Sequence, residues 1–261
     1  MDLKKVAFRH KTTAGQWLGP LDMYLYECLY AAGRHGYGAM TLGMIENWPI
    51  VLLIPPSSDA PRMLVAAGFH GNEPAGCWGI LEVLKSGANL AGVSFLPAAN
   101  PTGLDIGIRY NRWNETTNGG FCRGEEPSRE GKVLVANLDL LKDCARDGFL
   151  TVHEDEENKG TYAYAYGQKS VILAQQMLDP SMFPIGDWVI TSRSETMEIK
   201  NGIIADYSDG SFENLLYESG VPISICTEVP AQADKVRRTL TCKSYVESFI
   251  NGVRSCKTSS L

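Results

Sequence analysis

The sequence has no excess of positive charge. Its 24 Lys and Arg against 30 Asp and Glu give a net charge of −6, and no Lys/Arg cluster stands out. That argues against a nucleic-acid-binding protein, whose partner demands a basic face. No run of 18 apolar residues is present, so no membrane-spanning helix is expected. The N-terminus also lacks a charged-then-apolar export segment. The seven cysteines are odd in number, scattered, and form no C-x-x-C pair. They read as reduced thiols, most of them core filler, which fits a cytoplasmic, unexported protein. None stands beside a histidine as a thiol nucleophile requires, and only four histidines exist. Repeats, low-complexity tracts and linkers are missing too, so residues 1–261 are expected to form a single domain.

What is present is a succession of short apolar strands and helices. A helix is expected over 17–33, where Leu18, Leu21, Tyr24, Leu25, Cys28 and Leu29 share one face, Pro20 suits the first turn and Gly33 the end. Strands are expected at 51–54, 63–67, 93–97, 149–152, 187–191 and 221–226. Further helices are expected at 74–85, 137–146, 170–178, 212–219 and 234–253. Residues 101–131 are polar, rich in Gly, Asn and Arg, and read as a long functional loop. Alternating strands and helices imply an α/β fold with a mostly parallel sheet and helices on both faces. Such sheets bind ligands outside the carboxyl ends of their strands.

Four strands end on residues able to do chemistry: His70 and Glu73, Asn100, His153, and Glu228. His70 and Glu73 stand three apart, so one turn can aim both at a point. With His153 they would complete a three-ligand zinc site with an open fourth position, where zinc lowers the pKa of a water to roughly 7. Glu228 follows the apolar run Ile223–Cys226, where burial raises a carboxyl pKa and suits a general base. Amide hydrolysis also needs a cation or fixed donors for its oxyanion, and a guanidinium can grip a substrate carboxylate. The loop after Asn100 offers Arg109, Arg112 and Arg123 for these tasks.

These motifs, in this order, make residues 60–235 resemble the M14-type zinc carboxypeptidases: His70-Gly71-Asn72-Glu73, Asn100-Pro101-Thr102-Gly103 with Arg109, His153, and Thr227-Glu228. The Asn100-Pro101-x-Gly103…Arg109-x-Asn111 run is most similar to the murein peptide amidase branch. The aspartoacylase and succinylglutamate desuccinylase relatives share the His-Gly-Asn-Glu form. The resemblance implies a mixed, twisted carboxypeptidase-like sheet and one zinc ion on His70, Glu73 and His153. It implies Arg109 polarising the scissile carbonyl and Glu228 as general base. The family's Asn-Arg pair for the substrate carboxylate falls on Asn118 and Gly119, so the arginine is missing. Either Arg112 or Arg123 replaces it, or the substrate carries no free C-terminal carboxylate of the usual kind. Tyr207, ahead of Gly210-Ser211 with spacing one residue short, is the counterpart of the family's mobile tyrosine. The resemblance implies hydrolysis of a small peptide, for which a γ-D-glutamyl-diaminopimelate murein peptide is the specific expectation. An N-acyl-amino-acid deacylase and a catalytically inactive binding protein on the same scaffold are the alternatives.

Overall fold

The structure is a computed structural model that describes residues 21–121, 124–190 and 196–258. Helix α1 spans Leu21–Gly33 and ends at the expected glycine, while Trp17 to Pro20 lie outside the described residues. A hairpin follows, β1 (Gly38–Ile45) and β2 (Trp48–Ile54). Next come β3 (Met63–Ala67), α2 (Ala75–Lys85), β4 (Val93–Leu96) and a short α3 (Pro101–Ile106). The middle of the chain holds α4 (Arg129–Ala136), α5 (Leu138–Cys144), β5 (Gly148–Asp155), β6 (Tyr162–Tyr166) and α6 (Gln168–Met177). The remainder is β7 (Trp188–Ile190), β8 (Thr196–Glu198), β9 (Ile203–Ala205), α7 (Phe212–Glu218), β10 (Ser224–Pro230) and α8 (Lys235–Thr258).

Eight strands form one sheet in the order β1-β2-β4-β3-β5-β10-β6-β9, while β7 and β8 pair separately. The centre, β4-β3-β5-β10, is parallel, and antiparallel strands flank it on both sides. Parallel strands are covered on both faces and read as unbroken apolar runs. Met63 to Ala67 is such a run, and every residue of β3 is buried. One core packs α1, α2, α6 and α8 against the sheet through Leu25, Ile80, Leu81, Leu173 and Phe249. A second, on the opposite face, joins Phe69, Leu96, Leu141, Phe149, Phe212 and Leu216. Helices therefore cover both faces of an α/β sheet, as expected.

Several elements differ from expectation. The hairpin strand β1 lies on the sheet edge, with Met40 and Met44 exposed, so it carries no clear apolar alternation. The loop expected over 101–131 begins with α3: Asn100 Oδ1 accepts from Gly103 N at 2.8 Å and Pro101 occupies the first turn. The helix expected over 137–146 is α5 alone, and α4 precedes it with Asn137 between them. Strand β5 does not stop at His153 but runs on to Asp155. The acidic run after His153 is thus partly inside the sheet, because β10 pairs beside it and places Glu228 opposite His153 and Pro230 opposite Asp155.

Candidate metal centre

The first turn of the site follows β3. Gly68 takes φ +71, and a side chain there would meet Leu104 Cδ1 at 2.8 Å and Cys77 Sγ at 2.9 Å, so glycine alone lets the chain turn beneath α3. Gly71 then passes so close to the Asn100–Gly103 turn that an added Cβ would lie 2.0 Å from Gly103 C. The Asn100 side chain donates to Phe69 O at 3.1 Å and fastens the two turns together. Between these contacts His70 and Glu73 face one another, with His70 Nδ1 2.7 Å from Glu73 Oε1.

The second histidine arrives from the neighbouring strand. His153 Nδ1 lies 2.8 Å from Glu73 Oε2. The two imidazoles meet edge to face, ring centroids 5.0 Å apart. His70, Glu73 and His153 are all buried, and their donor atoms lie within 4.8 Å of one another. This set suits zinc by its chemistry: two imidazole nitrogens and a carboxylate converge, the composition of a catalytic site with three protein ligands.

Charge is concentrated here. Burial lowers the His70 pKa, and attraction from Glu73 only partly opposes it. Burial by itself would raise the Glu73 pKa, but His70 and His153 outweigh it and hold the carboxylate well below its ordinary range. Burial would lower the His153 pKa, yet Glu213 and Glu73 hold it well above its usual value. Arg109 donates from Nη1 to Glu73 Oε1 at 2.9 Å, with its side chain 48% exposed at the rim of the site. Glu228 shares the sheet face with His153. Its Oε1 accepts from Cys226 Sγ at 3.8 Å, while its buried Oε2 has no hydrogen-bond partner. Burial, reinforced by repulsion from Glu73 and Asp155, raises the Glu228 pKa well above the usual carboxylate range.

The remaining sequence-expected residues take other positions. Arg112 is held by Glu46 at 2.7 Å and Asp105 at 2.9 Å. Asn118 spends both ends of its amide on α7: Oδ1 accepts from Phe212 N at 2.9 Å, and Nδ2 donates to Glu213. Tyr207 is partly buried against Tyr164, ring centroids 6.2 Å apart. Arg123 lies outside the described residues.

Sequence reasoning missed three groups around the centre. Glu213 approaches His153 from α7, its Oε1 3.6 Å from Nε2. Glu154, on the opposite face of β5, accepts from Ala75 N at 2.6 Å and so satisfies the first turn of α2, which Pro74 leaves without a side-chain cap. Arg238 of α8 pairs with the same carboxylate. Burial pushes the Glu154 pKa up to about 7 against the pull of Ala75 N–H and Arg238. The usable signal was alternation. In a strand, residues two apart share a face, which sets Thr151, His153 and Asp155 on the site side and Glu154 against the helices.

No family model matches the chain, and no curated protein is similar to it in sequence. Solved structures are similar. A candidate metallopeptidase from Shewanella denitrificans OS217 is 32% identical, with 90% of each chain covered and a TM-score of 0.80. A second, from Shewanella amazonensis SB2B, is 31% identical over 90% of this chain and 93% of that one, also at TM-score 0.80. The chain belongs to this metallopeptidase family. A metallo-carboxypeptidase from Pseudomonas aeruginosa, solved with (2-guanidinoethylmercapto)succinic acid, shares the fold at TM-score 0.64 and 18% identity, over 89% of this chain and 68% of that one. The metallopeptidase family and the His/Glu centre thus agree, and the sheet is of the zinc-carboxypeptidase type. Among the described residues, no helix is long and apolar enough to cross a membrane.

Proposed function

We propose that this chain is a zinc-dependent amide hydrolase of carboxypeptidase type. One observation carries the reading: both histidine Nδ1 atoms converge on Glu73, beside a buried carboxylate oxygen of Glu228 that has no partner. His70, Glu73 and His153 would hold the zinc, which when bound supplies a Lewis acid and a water acidic enough to ionise near neutral pH. The protein's own groups divide the remaining work. Glu228 Oε2 takes the proton of the attacking water and returns it to the leaving nitrogen. A base with a raised pKa holds that proton long enough to pass it on. Arg109, anchored on Glu73 and open at the rim, places a guanidinium where the scissile carbonyl gains negative charge. Among the described residues the buried cysteines are free, which suits a reducing compartment, and we place the enzyme in the cytoplasm.

Within this reading a small peptide is the substrate. The resemblance of the Asn100–Asn111 run to murein peptide amidases favours a γ-D-glutamyl-diaminopimelate peptide. A second reading, an N-acyl-amino-acid deacylase, is favoured by the arginines: Gly119 stands where the carboxylate-binding arginine is expected, and Glu46 and Asp105 hold Arg112.

The test is a mass-spectrometric digest by zinc-loaded protein of murein tripeptide, plain peptides with free or amidated C-termini, and N-acyl amino acids. Release of a C-terminal residue only from free-carboxylate peptides supports the first reading. Turnover of acyl amino acids alone supports the second. Glu228→Gln is expected to keep zinc and lose at least 10²-fold in turnover. A Gln variant of near-normal rate removes Glu228 as the base, and a wild type inactive on the whole panel leaves a binding protein on this scaffold.

A further inference from the structure

Glu213 is 1% exposed, and a carboxylate so deeply buried must be compensated by specific partners. It has three. Thr151 Oγ1 donates to Oε1, and Asn118 Nδ2 donates to Oε1 at 3.3 Å and to Oε2 at 3.1 Å. The main chain is pinned as well, since Ser224 Oγ of β10 donates to Glu213 O at 2.9 Å. The third partner of the carboxylate is His153, whose Nε2 lies 3.6 Å from Oε1. That nitrogen is buried and makes no hydrogen bond of normal length. The other nitrogen of the same ring, Nδ1, faces Glu73 at 2.8 Å.

A neutral imidazole carries its proton on one nitrogen and offers a lone pair on the other. A carboxylate fixed opposite Nε2 keeps the proton there and leaves the lone pair on Nδ1 for a metal ion. We infer that Glu213 is a positioning residue for His153, clamped by Thr151 and Asn118, and that it sets the orientation of the ring and the nitrogen offered to the metal. The inference rests on the reading of His70, Glu73 and His153 as a metal centre. It also gives Asn118 a task other than gripping substrate, which fits the glycine that follows it. One rival use of these side chains exists, because His153, Glu213 and Cys226 also bring donor atoms within 4.8 Å of one another and could hold a second ion.

The experiment compares full-length wild type, Glu213→Gln, Glu213→Asp and Thr151→Val. Each is titrated with zinc against a competing chelator, metal per chain is counted, and the cobalt(II) visible spectrum and the melting midpoint of the zinc-free protein are recorded. Wild type is expected to bind one ion. Glu213→Gln keeps the size and, in its amide oxygen, one acceptor for Thr151 and Asn118, so its zinc-free midpoint should stay near wild type while zinc affinity falls about 10- to 100-fold and the cobalt bands shift. Glu213→Asp, which keeps the charge, should recover part of the loss, and Thr151→Val should show a smaller loss of affinity. Wild-type affinity and an unchanged cobalt spectrum in Glu213→Gln overturn the inference. A wild type holding two ions of which the Gln variant loses one also overturns it, in favour of the second site. A wild type that takes up no zinc fails earlier, at the metal centre itself, and takes this inference with it.

Discussion

Glu154 and Arg238 show how much of this site depends on residues that never face it. Glu154 is the next residue after a proposed ligand, yet it points to the other side of the sheet, where it closes the start of α2 and pairs with α8. The pair is almost wholly removed from water, with side chains 0% and 14% exposed. Breaking a buried pair by deleting one partner leaves an uncompensated charge and costs about 3–5 kcal/mol. Arg238→Ala should therefore lower the urea midpoint of the zinc-free protein strongly at pH 8. The sign of its pH dependence follows from the raised Glu154 pKa. Without the guanidinium that pKa rises further, so the folded protein takes up a proton more readily than the unfolded chain. The deficit should shrink as pH falls from 8 to 5. A deficit that grows toward acid pH would show that Glu154 is stabilised by something other than Arg238.

At the scale of elements, the site is a meeting of three strand ends and two turns. The turn after β3 and the Asn100–Gly103 turn touch through glycine backbone. A methyl at Gly71 would meet Gly103 C at 2.0 Å, Gly103 O at 2.2 Å and Ile108 O at 2.5 Å, all main-chain atoms that cannot swing aside. Gly71→Ala is expected to cost about 1–3 kcal/mol and to weaken zinc binding, since His70 and Arg109 lie on the two sides of that contact. Denaturant titration and metal competition measure both effects, and a variant of wild-type stability contradicts the packing. The run over 63–67 is β3 and the run over 149–152 is the first part of β5, both legible as apolar stretches, whereas the strand expected over 221–226 is β10, Ser224–Pro230, which starts later and takes Glu228 inside it. Other strands were not legible. The Tyr162-Ala-Tyr-Ala-Tyr166 alternation of β6 is a strand pattern, but its end tyrosines turn to polar partners inside the protein rather than to solvent: Tyr162 donates to Asp155 Oδ2 at 2.6 Å and Tyr166 bonds Asp209 and Ser211. The end of β5 was read short because His153, Glu154 and Asp155 are polar. Their partners come from β10, α2, α7 and α8, which no local window includes.

For the molecule as a whole, two cores press on opposite faces of one mixed sheet, and the candidate centre sits where its parallel strands end. Four of the five residues placed in the catalytic reading, His70, Glu73, Arg109 and His153, are in direct contact through Glu73. Glu228 stands across from His153 in the pairing of β5 with β10. The central claim is that this cluster holds one metal ion. The most direct test is native mass spectrometry of the full-length protein after zinc loading and removal of excess metal, for wild type, His70→Ala and His153→Ala. One zinc per wild-type chain, lost or greatly weakened in both variants, is the predicted result. A wild type that takes up no zinc, or variants that bind it as tightly as wild type, would contradict the account.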